Sequence, residues 1–173
     1  MDTVRRNSRA RFVVRANLIS SLAFAVNNSS YYLIADSIIN SYLMKHCGIR
    51  PYLHPSSEQK QASIPSSAEA DTDSDAAASV IGLIVSSDAT YFASTSFPST
   101  LIVGLRVTKL GKSSVQYEVG IREEGENGSG QAAVVTHATH VFVERHGRRP
   151  VKVMPRMLRE GLEKLLVEQR AKM

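Results

Sequence analysis

The pattern of apolar and polar positions first predicts a long helix. From Val26 to Gly48 the sequence reads VNNSSYYLIADSIINSYLMKHCG. Asn27 or Asn28 can cap its start, because a short side-chain oxygen accepts a hydrogen bond from an otherwise unpaired backbone N–H. Gly48 suits the left-handed residue that ends a helix. Since the apolar side chains occupy more than one face, we expect other structure to surround this helix. These side chains are Leu33, Ile34, Ile38, Ile39, Tyr42, Leu43 and Met44.

Asp36 interrupts the apolar pattern in the middle of the predicted helix. A carboxylate in a buried helix is costly unless it is paired or used in chemistry. Asn40 follows four residues later, on the same side of the helix. Asp36 is therefore a candidate functional residue. The alternative is a structural role, in a hydrogen bond to Asn40 or across a subunit interface.

The second half of the chain predicts strands and a final helix. Strand-like runs are Val80–Phe92, Leu101–Leu110, Ser114–Arg122 and Ala132–Arg145. The two middle runs flank Gly111 and Lys112, which indicates a hairpin. In the third run, apolar residues alternate with polar ones such as Gln116 and Glu118, so one face belongs to the core and the other to solvent or a partner. Pro155 then opens an amphipathic helix with one leucine stripe. The stripe consists of Leu158, Leu162, Leu165 and Leu166.

Two histidines lie in the last predicted strand. Because side chains alternate across a strand, His137 and His140 face opposite sides of the sheet. We interpret both as sheet-surface residues rather than a metal pair, and predict no metal site.

Two segments stand apart from this pattern. Residues 1–25 contain an Arg-rich stretch that favours either a strand around Arg11–Arg15 or a mitochondrial targeting peptide. A cytoplasmic or mitochondrial location follows. Residues 56–79 are rich in Ser, Ala and Asp, and we expect them to form a disordered loop. Neither side of this loop can close a core alone, so the prediction is one domain spanning residues 1–173.

Composition narrows the possible functions. The chain has 173 residues, 43% of them hydrophobic, and a net charge of +5. This length supports a real core, and the positive charge favours an anionic partner. Cys47 is the only cysteine, which excludes a disulfide framework within one chain. No stretch approaches the roughly 18 apolar residues of a membrane span. Nucleic-acid binding is not predicted, since it would rest on charge alone.

The element order predicts an α+β layer fold in which antiparallel strands surround one long helix. Local runs add a resemblance. They are VNN and YY within Val26–Tyr32, ADSIINSYLMKHCG, FASTSFPSTLIVGLRVTKLGKSSVQYEVGI, THVFVERHGRRP and the following Met154-Pro155. In this order they resemble the hotdog-fold acyl-CoA thioesterases, in particular the 4-hydroxybenzoyl-CoA thioesterase-like family. The resemblance implies a curved antiparallel sheet wrapped around a central helix, plus a C-terminal helix, assembled as a homodimer or homotetramer.

The resemblance also implies hydrolysis of an acyl-CoA to free acid and CoA, with no cofactor beyond the CoA of the substrate. The family signature D-x-D-x-x-x-H-V-N-N precedes the central helix. Aligned on Val26, it puts Ser21 at the key Asp and Ala25 at the His. Three explanations stay open: divergence of this part, an error in the gene reading, or a protein that is not a normal thioesterase.

The remaining site residues also follow from the resemblance. In a second branch of hotdog thioesterases the catalytic carboxylate lies on the central helix, close to the place of Asp36. A backbone N–H near Asn28 would stabilise the oxyanion. The acyl group would lie near the start of the helix, and basic residues would bind the CoA phosphates; a solvated basic surface is the alternative. The substrate-binding candidates are Asn27, Tyr31, Tyr32, Lys112, Ser113, Ser114, Arg148, Arg149 and Lys152.

Two further functions remain as alternatives. The first is a catalytically inactive hotdog module that binds acyl-CoA or serves only in assembly, which the missing Asp and His favour. The second is a hydratase or dehydratase. That chemistry typically needs an acid–histidine pair, and we identify no such pair near the helix from the sequence.

Overall fold

The computed structural model describes residues 12–17, 27–49, 76–77, 79–96, 98–125 and 131–167. The predicted loop over residues 56–79 lies outside these ranges except at its end, where Ala77 is buried. Ser21 and Ala25, which align with the family signature, also lie outside them. Part of the N-terminal segment is described, and residues 12–17 form a strand.

Helix α1 spans Asn28–His46, as the sequence predicts. Asn27 is the N-cap, and its Oδ1 accepts the backbone N–H of Ser29 at 3.1 Å. The helix ends where Gly48 adopts a left-handed φ of 70°. Six side chains on one side of the helix are buried, but Leu33 is 67% exposed on the opposite side. The expectation of a helix surrounded on all sides is therefore wrong within this chain, because the sheet covers only one face. The buried residues are Tyr31, Ala35, Ile38, Ile39, Tyr42 and Leu43.

The strands form one antiparallel sheet in the order β1-β3-β4-β5-β2. Strands β3 to β5 are consecutive neighbours, and the hairpin between β3 and β4 closes with the Gly111 N–H donating to the Ser114 carbonyl at 2.8 Å. The bounds are Phe12–Asn17 for β1, Val80–Tyr91 for β2, Thr100–Leu110 for β3, Ser114–Glu123 for β4 and Val134–Glu144 for β5.

Strand β2 does not continue a simple meander, because it pairs with β5 rather than β3. The connection from β2 to β3 crosses the ends of the strands between them. Phe92 donates its N–H to the Ala133 carbonyl at 2.8 Å, just before β5. Ser96 then bonds the side chain of Glu123 at the end of β4. This route leaves β2 as an edge strand of the sheet.

Helix α2, Arg156–Glu163, packs against the C-terminal end of α1. Tyr42 donates its hydroxyl hydrogen to the Gly161 carbonyl at 2.7 Å. Leu158, Leu162 and Leu165 are buried, as the leucine stripe predicts. One hydrophobic cluster thus joins α1, the inner face of the sheet and α2. This is the hotdog arrangement that the resemblance implies.

The outer face of the sheet carries a row of charged residues in register. Arg106 Nη2 lies 2.6 Å from Glu118 Oε1, and Glu118 Oε2 lies 3.5 Å from His137 Nε2. His137 Nδ1 in turn lies 3.0 Å from Asp88 Oδ1. These four residues face one another across β3, β4, β5 and β2. The row explains why Glu118, expected at a solvent or partner face, is only 7% exposed.

Candidate active site

Asp36 lies in the middle of α1 and is half-buried. Its neighbour Ala35 is buried, whereas Ser37 is exposed, so the carboxylate lies at the boundary between the core side and the open side of the helix. Asn40 is exposed, and the structure shows no hydrogen bond between Asp36 and Asn40, both of which it describes. The structural alternative of a bond within the helix is therefore not the arrangement observed.

His140 is the residue near Asp36 that sequence reasoning missed. It lies on the inner face of β5 and is 2% exposed, so its interpretation as a sheet-surface residue is wrong. Burial lowers the pKa of His140 to about 4, and the negative charge of Asp36 acts in the opposite direction. The alternation of β5 contained the necessary signal, because Phe142 and His140 share a face. The polar character of histidine alone predicted the opposite, a position at the surface of the sheet.

The N-terminus of α1 supplies backbone donors. The first N–H groups of a helix have no partner within it, and Asn27 accepts hydrogen bonds from two of them. Its side chain accepts the Ser29 N–H, and its carbonyl accepts the Ser30 N–H at 2.9 Å. The N–H of Asn28 takes no part in this cap. The positive end of the helix dipole lies at the same place, which makes the Asn28 N–H a suitable donor to a developing oxyanion.

The two predicted acyl-contacting tyrosines differ in their surroundings. Tyr31 is buried, and its hydroxyl lies 2.7 Å from the Thr95 hydroxyl. Its ring also contacts that of Tyr91, with centroids 5.7 Å apart. Tyr32 is 39% exposed on the open side of α1. Tyr31 therefore holds this end of the helix against the sheet, whereas Tyr32 is accessible to a bound molecule.

Two basic segments that are distant in sequence meet at the other end of the sheet. Met154 donates its N–H to the Lys112 carbonyl at 3.0 Å, and Phe142 donates to the Ser113 carbonyl at 2.7 Å. These bonds bring the β3–β4 turn beside the segment that follows β5. We call this region the basic end. Its exposed cationic residues are Lys112, Arg148, Arg149 and Lys152. Ser113 and Ser114 are half-buried within the turn.

The candidate residues do not form one cluster within a single protomer. Strand β4 begins at Ser114 in the basic end and finishes at Glu123, which bonds Ser96; the preceding residue, Thr95, contacts Tyr31 near the start of α1. Its ten residues span ~30 Å at the usual rise of a strand. Asp36 lies eight residues beyond Asn28, which is ~12 Å along a helix. The acid, the helix N-terminus and the basic end are therefore three separate parts of the molecule.

A five-stranded antiparallel sheet packed on one long helix defines a hotdog-fold protein. The family model of the thioesterase superfamily matches residues 25–130. This chain belongs to the thioesterase superfamily. No curated protein sequence matches it.

Solved structures extend the comparison over most of the chain. The PA5185 protein from Pseudomonas aeruginosa is 32% identical, with 91% of this chain and 92% of that one covered and a TM-score of 0.70. Slr0204, a 1,4-dihydroxy-2-naphthoyl-CoA thioesterase from Synechocystis, is 13% identical, with 88% and 95% covered and a TM-score of 0.60. A thioesterase from Thermus thermophilus, solved with coenzyme A and zinc, is 17% identical, with 90% and 94% covered and a TM-score of 0.59. The last two likenesses show the fold alone.

The described part of the chain contains neither a membrane-spanning helix nor a cluster of metal ligands. None of its helices is long and apolar enough to span a membrane. Within the same residue ranges, no three histidine, cysteine, aspartate or glutamate side chains come together as a metal site.

Proposed function

We propose that this protein hydrolyses the thioester of an acyl-CoA to a free acid and CoA. The observation that carries the proposal is the half-buried Asp36 on the central helix of a thioesterase-superfamily fold. It is the only acid of α1. The solved complex of a hotdog thioesterase with coenzyme A supports CoA as the carrier of the acyl group.

The proposed chemistry assigns one role to the middle of α1 and another to its N-terminus. The Asp36 carboxylate accepts a proton from water while the water oxygen attacks the thioester carbon. The carbonyl oxygen becomes an oxyanion, which a backbone N–H at the start of α1 stabilises. One such preorganised donor is typically worth about 10²–10³ in rate. When the tetrahedral intermediate collapses, the carbon–sulfur bond breaks, and the CoA sulfur leaves with the proton that Asp36 received.

We propose that two protomers form this site together. The water attacks the carbon of the same carbonyl group whose oxygen becomes the oxyanion. The protein groups that contact the water and the oxyanion must therefore lie within a few ångströms of one another. Asp36 and the Asn28 N–H of one chain are ~12 Å apart along the helix axis. We therefore assign the acid to one protomer and the helix N-terminus to another. The homodimer or homotetramer expected from sequence would then be required for catalysis.

The basic end supplies the contacts for the phosphates of CoA. Guanidinium groups bind phosphate oxygens through paired hydrogen bonds. Arg148 and Arg149 are both exposed there, next to a turn in which Gly147 and Arg148 have φ values of 88° and 52°. A left-handed backbone at a residue with a side chain costs roughly 1–2 kcal/mol. This turn holds adjacent arginine side chains on the surface of the basic end.

The test of the reaction is the release of free thiol from a panel of short, long and aromatic acyl-CoAs. Asp36→Asn is expected to abolish turnover while the affinity for CoA stays nearly unchanged. Glu160→Gln is the matched control, because that exposed carboxylate on α2 pairs with the exposed Arg156. If every acyl-CoA binds but none is hydrolysed, the alternative of an inactive binding module is correct. If Asp36→Asn retains full activity, the acid is assigned wrongly.

A second experiment tests the division of the site between protomers. Asn28→Pro removes the N–H at the first helical position, where proline is well tolerated. Asn27 has φ −66° and ψ 144°, a conformation compatible with a following proline. Co-expression of Asp36→Asn and Asn28→Pro chains with different tags yields mixed dimers. Each mixed dimer contains one intact site if the groups come from different protomers, so activity returns. No recovery would show that both groups act within one chain.

A further inference from the structure

We propose that His140 is a positioning residue, whose neutral imidazole donates a hydrogen bond to the Asp36 carboxylate through one water, and so orients it toward the attacking water. The inference rests on the proposed function, since it concerns the same acid. It adds to the site a residue from β5 that no feature of the central helix indicates.

The first observation is a group of unpaired polar atoms beneath α1. Neither ring nitrogen of His140 has a hydrogen-bond partner among the described residues, and the same holds for the Tyr117 hydroxyl and the Thr136 hydroxyl. All three side chains are almost completely buried. Most buried polar groups are bonded, and an unpaired one costs about 1–3 kcal/mol. Leucine at position 140 would avoid this cost. The stability of the fold therefore does not explain why a histidine occupies this position.

The second observation is that the surrounding side chains fix the orientation of the ring. Tyr117 packs edge-to-face on His140, with ring centroids 5.2 Å apart, and Phe142 lies at 6.5 Å. A Cβ at Gly82 of β2 would come within 3.0 Å of His140 Nδ1. Nδ1 therefore lies over Gly82 of the neighbouring strand, in the space that a side chain there would occupy. We assign Nε2 as the nitrogen that donates to a group outside the sheet.

The third observation concerns charge. The negative charge of Asp36 favours the charged form of His140, against the larger effect of burial on its pKa, and β5 is one of the strands on which α1 packs. A general base works best when its pKa lies near the working pH. The pKa of His140, lowered to about 4 by burial, is about three units below neutral pH, so the ring is neutral and a poor base. A neutral imidazole still has one N–H, which suits it to orienting a carboxylate.

The kinetic test compares two substitutions at this position. His140→Gln keeps an N–H donor, and His140→Leu removes it while preserving an apolar core. The leucine variant is expected to lose about 10–100-fold in kcat with little change in KM, as for other groups that orient an active-site ligand, whereas the glutamine variant stays within a few-fold of the parent. Equal losses in both variants would overturn the proposal.

A measurement that needs no activity separates this inference from the proposed function. The ring nitrogens of His140 can be followed by NMR as the pH is lowered. The midpoint should lie near 4 in the parent protein and lower in Asp36→Asn, because the negative charge that favours the imidazolium has gone; Glu160→Gln should leave it unchanged. If Asp36→Asn leaves the midpoint unchanged, His140 is not paired with Asp36, even if Asp36 proves essential for activity. A shifted midpoint in a protein that hydrolyses nothing would support the pairing while the proposed function fails.

Discussion

The replacement Gly161→Ala tests how α2 is docked onto the end of α1. Gly161 lies inside α2, where alanine is ordinarily about 1 kcal/mol better than glycine. In this structure an added Cβ would lie 2.5 Å from Cys47 Sγ and 2.6 Å from the His46 carbonyl oxygen. Ordinary contacts between heavy atoms are at about 3.5–4.0 Å. Helix propensity and packing therefore predict opposite signs for the same substitution.

The packing term is the larger one. A backbone carbonyl cannot rotate away from the added methyl group as the end of a side chain can, and overpacking of this kind costs about 1–3 kcal/mol. If α2 moves outward instead, the bond from the Tyr42 hydroxyl to the Gly161 carbonyl is strained or lost, at about 1 kcal/mol. After subtraction of the propensity gain, we expect Gly161→Ala to lower the free energy of unfolding by roughly 1 kcal/mol, and by at most about 2 kcal/mol.

Urea and thermal unfolding followed by circular dichroism measure this loss. In a domain of this size each kcal/mol lowers Tm by about 2–4 °C. The control is Glu160→Ala, one residue earlier on the same helix, which removes an exposed ion pair with Arg156 and should change stability by less than about 1 kcal/mol. An unchanged or higher Tm in Gly161→Ala would mean that α2 does not approach α1 as closely as described.

Three further outcomes are expected. Replacing Arg148 and Arg149 together by Ala should weaken CoA binding, measured by titration calorimetry, and flatten its dependence on salt; unchanged affinity would mean a solvated basic surface only. The protein should sediment as a dimer or larger at micromolar concentration, and Leu33→Glu, on the exposed face of α1, should shift it toward monomer; a parent protein that sediments as a monomer would contradict both this and the shared site. Stability should fall as the pH drops from about 6.5 to 4, because unfolded His140 then takes up a proton that the buried ring, with its pKa lowered to about 4, does not. The loss is worth up to roughly 3 kcal/mol relative to His140→Leu in parallel urea titrations, and equal slopes in the two proteins would contradict it.

The elements themselves were predictable because their signals are local. The side chain of Asn27 and the left-handed Gly48 mark both ends of α1, and the bounds of the helix follow from these two residues. Alternation over Ser114–Arg122 predicted β4 and its inner face, and Gly111 predicted the turn before it. The resemblance to hotdog thioesterases rested on the same runs, and the family and the fold are as it implied.

The arrangement of these elements was decided by contacts between residues distant in sequence. Nothing local in Val80–Tyr91 tells that it pairs with β5 rather than with β3, because pairing depends on the path of the connecting chain. The meeting of Lys112 with the segment before Met154 depends on a backbone bond across 42 positions. A polar residue type also misled the reasoning at His140, since burial beside Asp36 is a property of the packed sheet and helix. Local chemistry thus determined which residues can act, and packing of the sheet on α1 decided which of them lie close enough to act together.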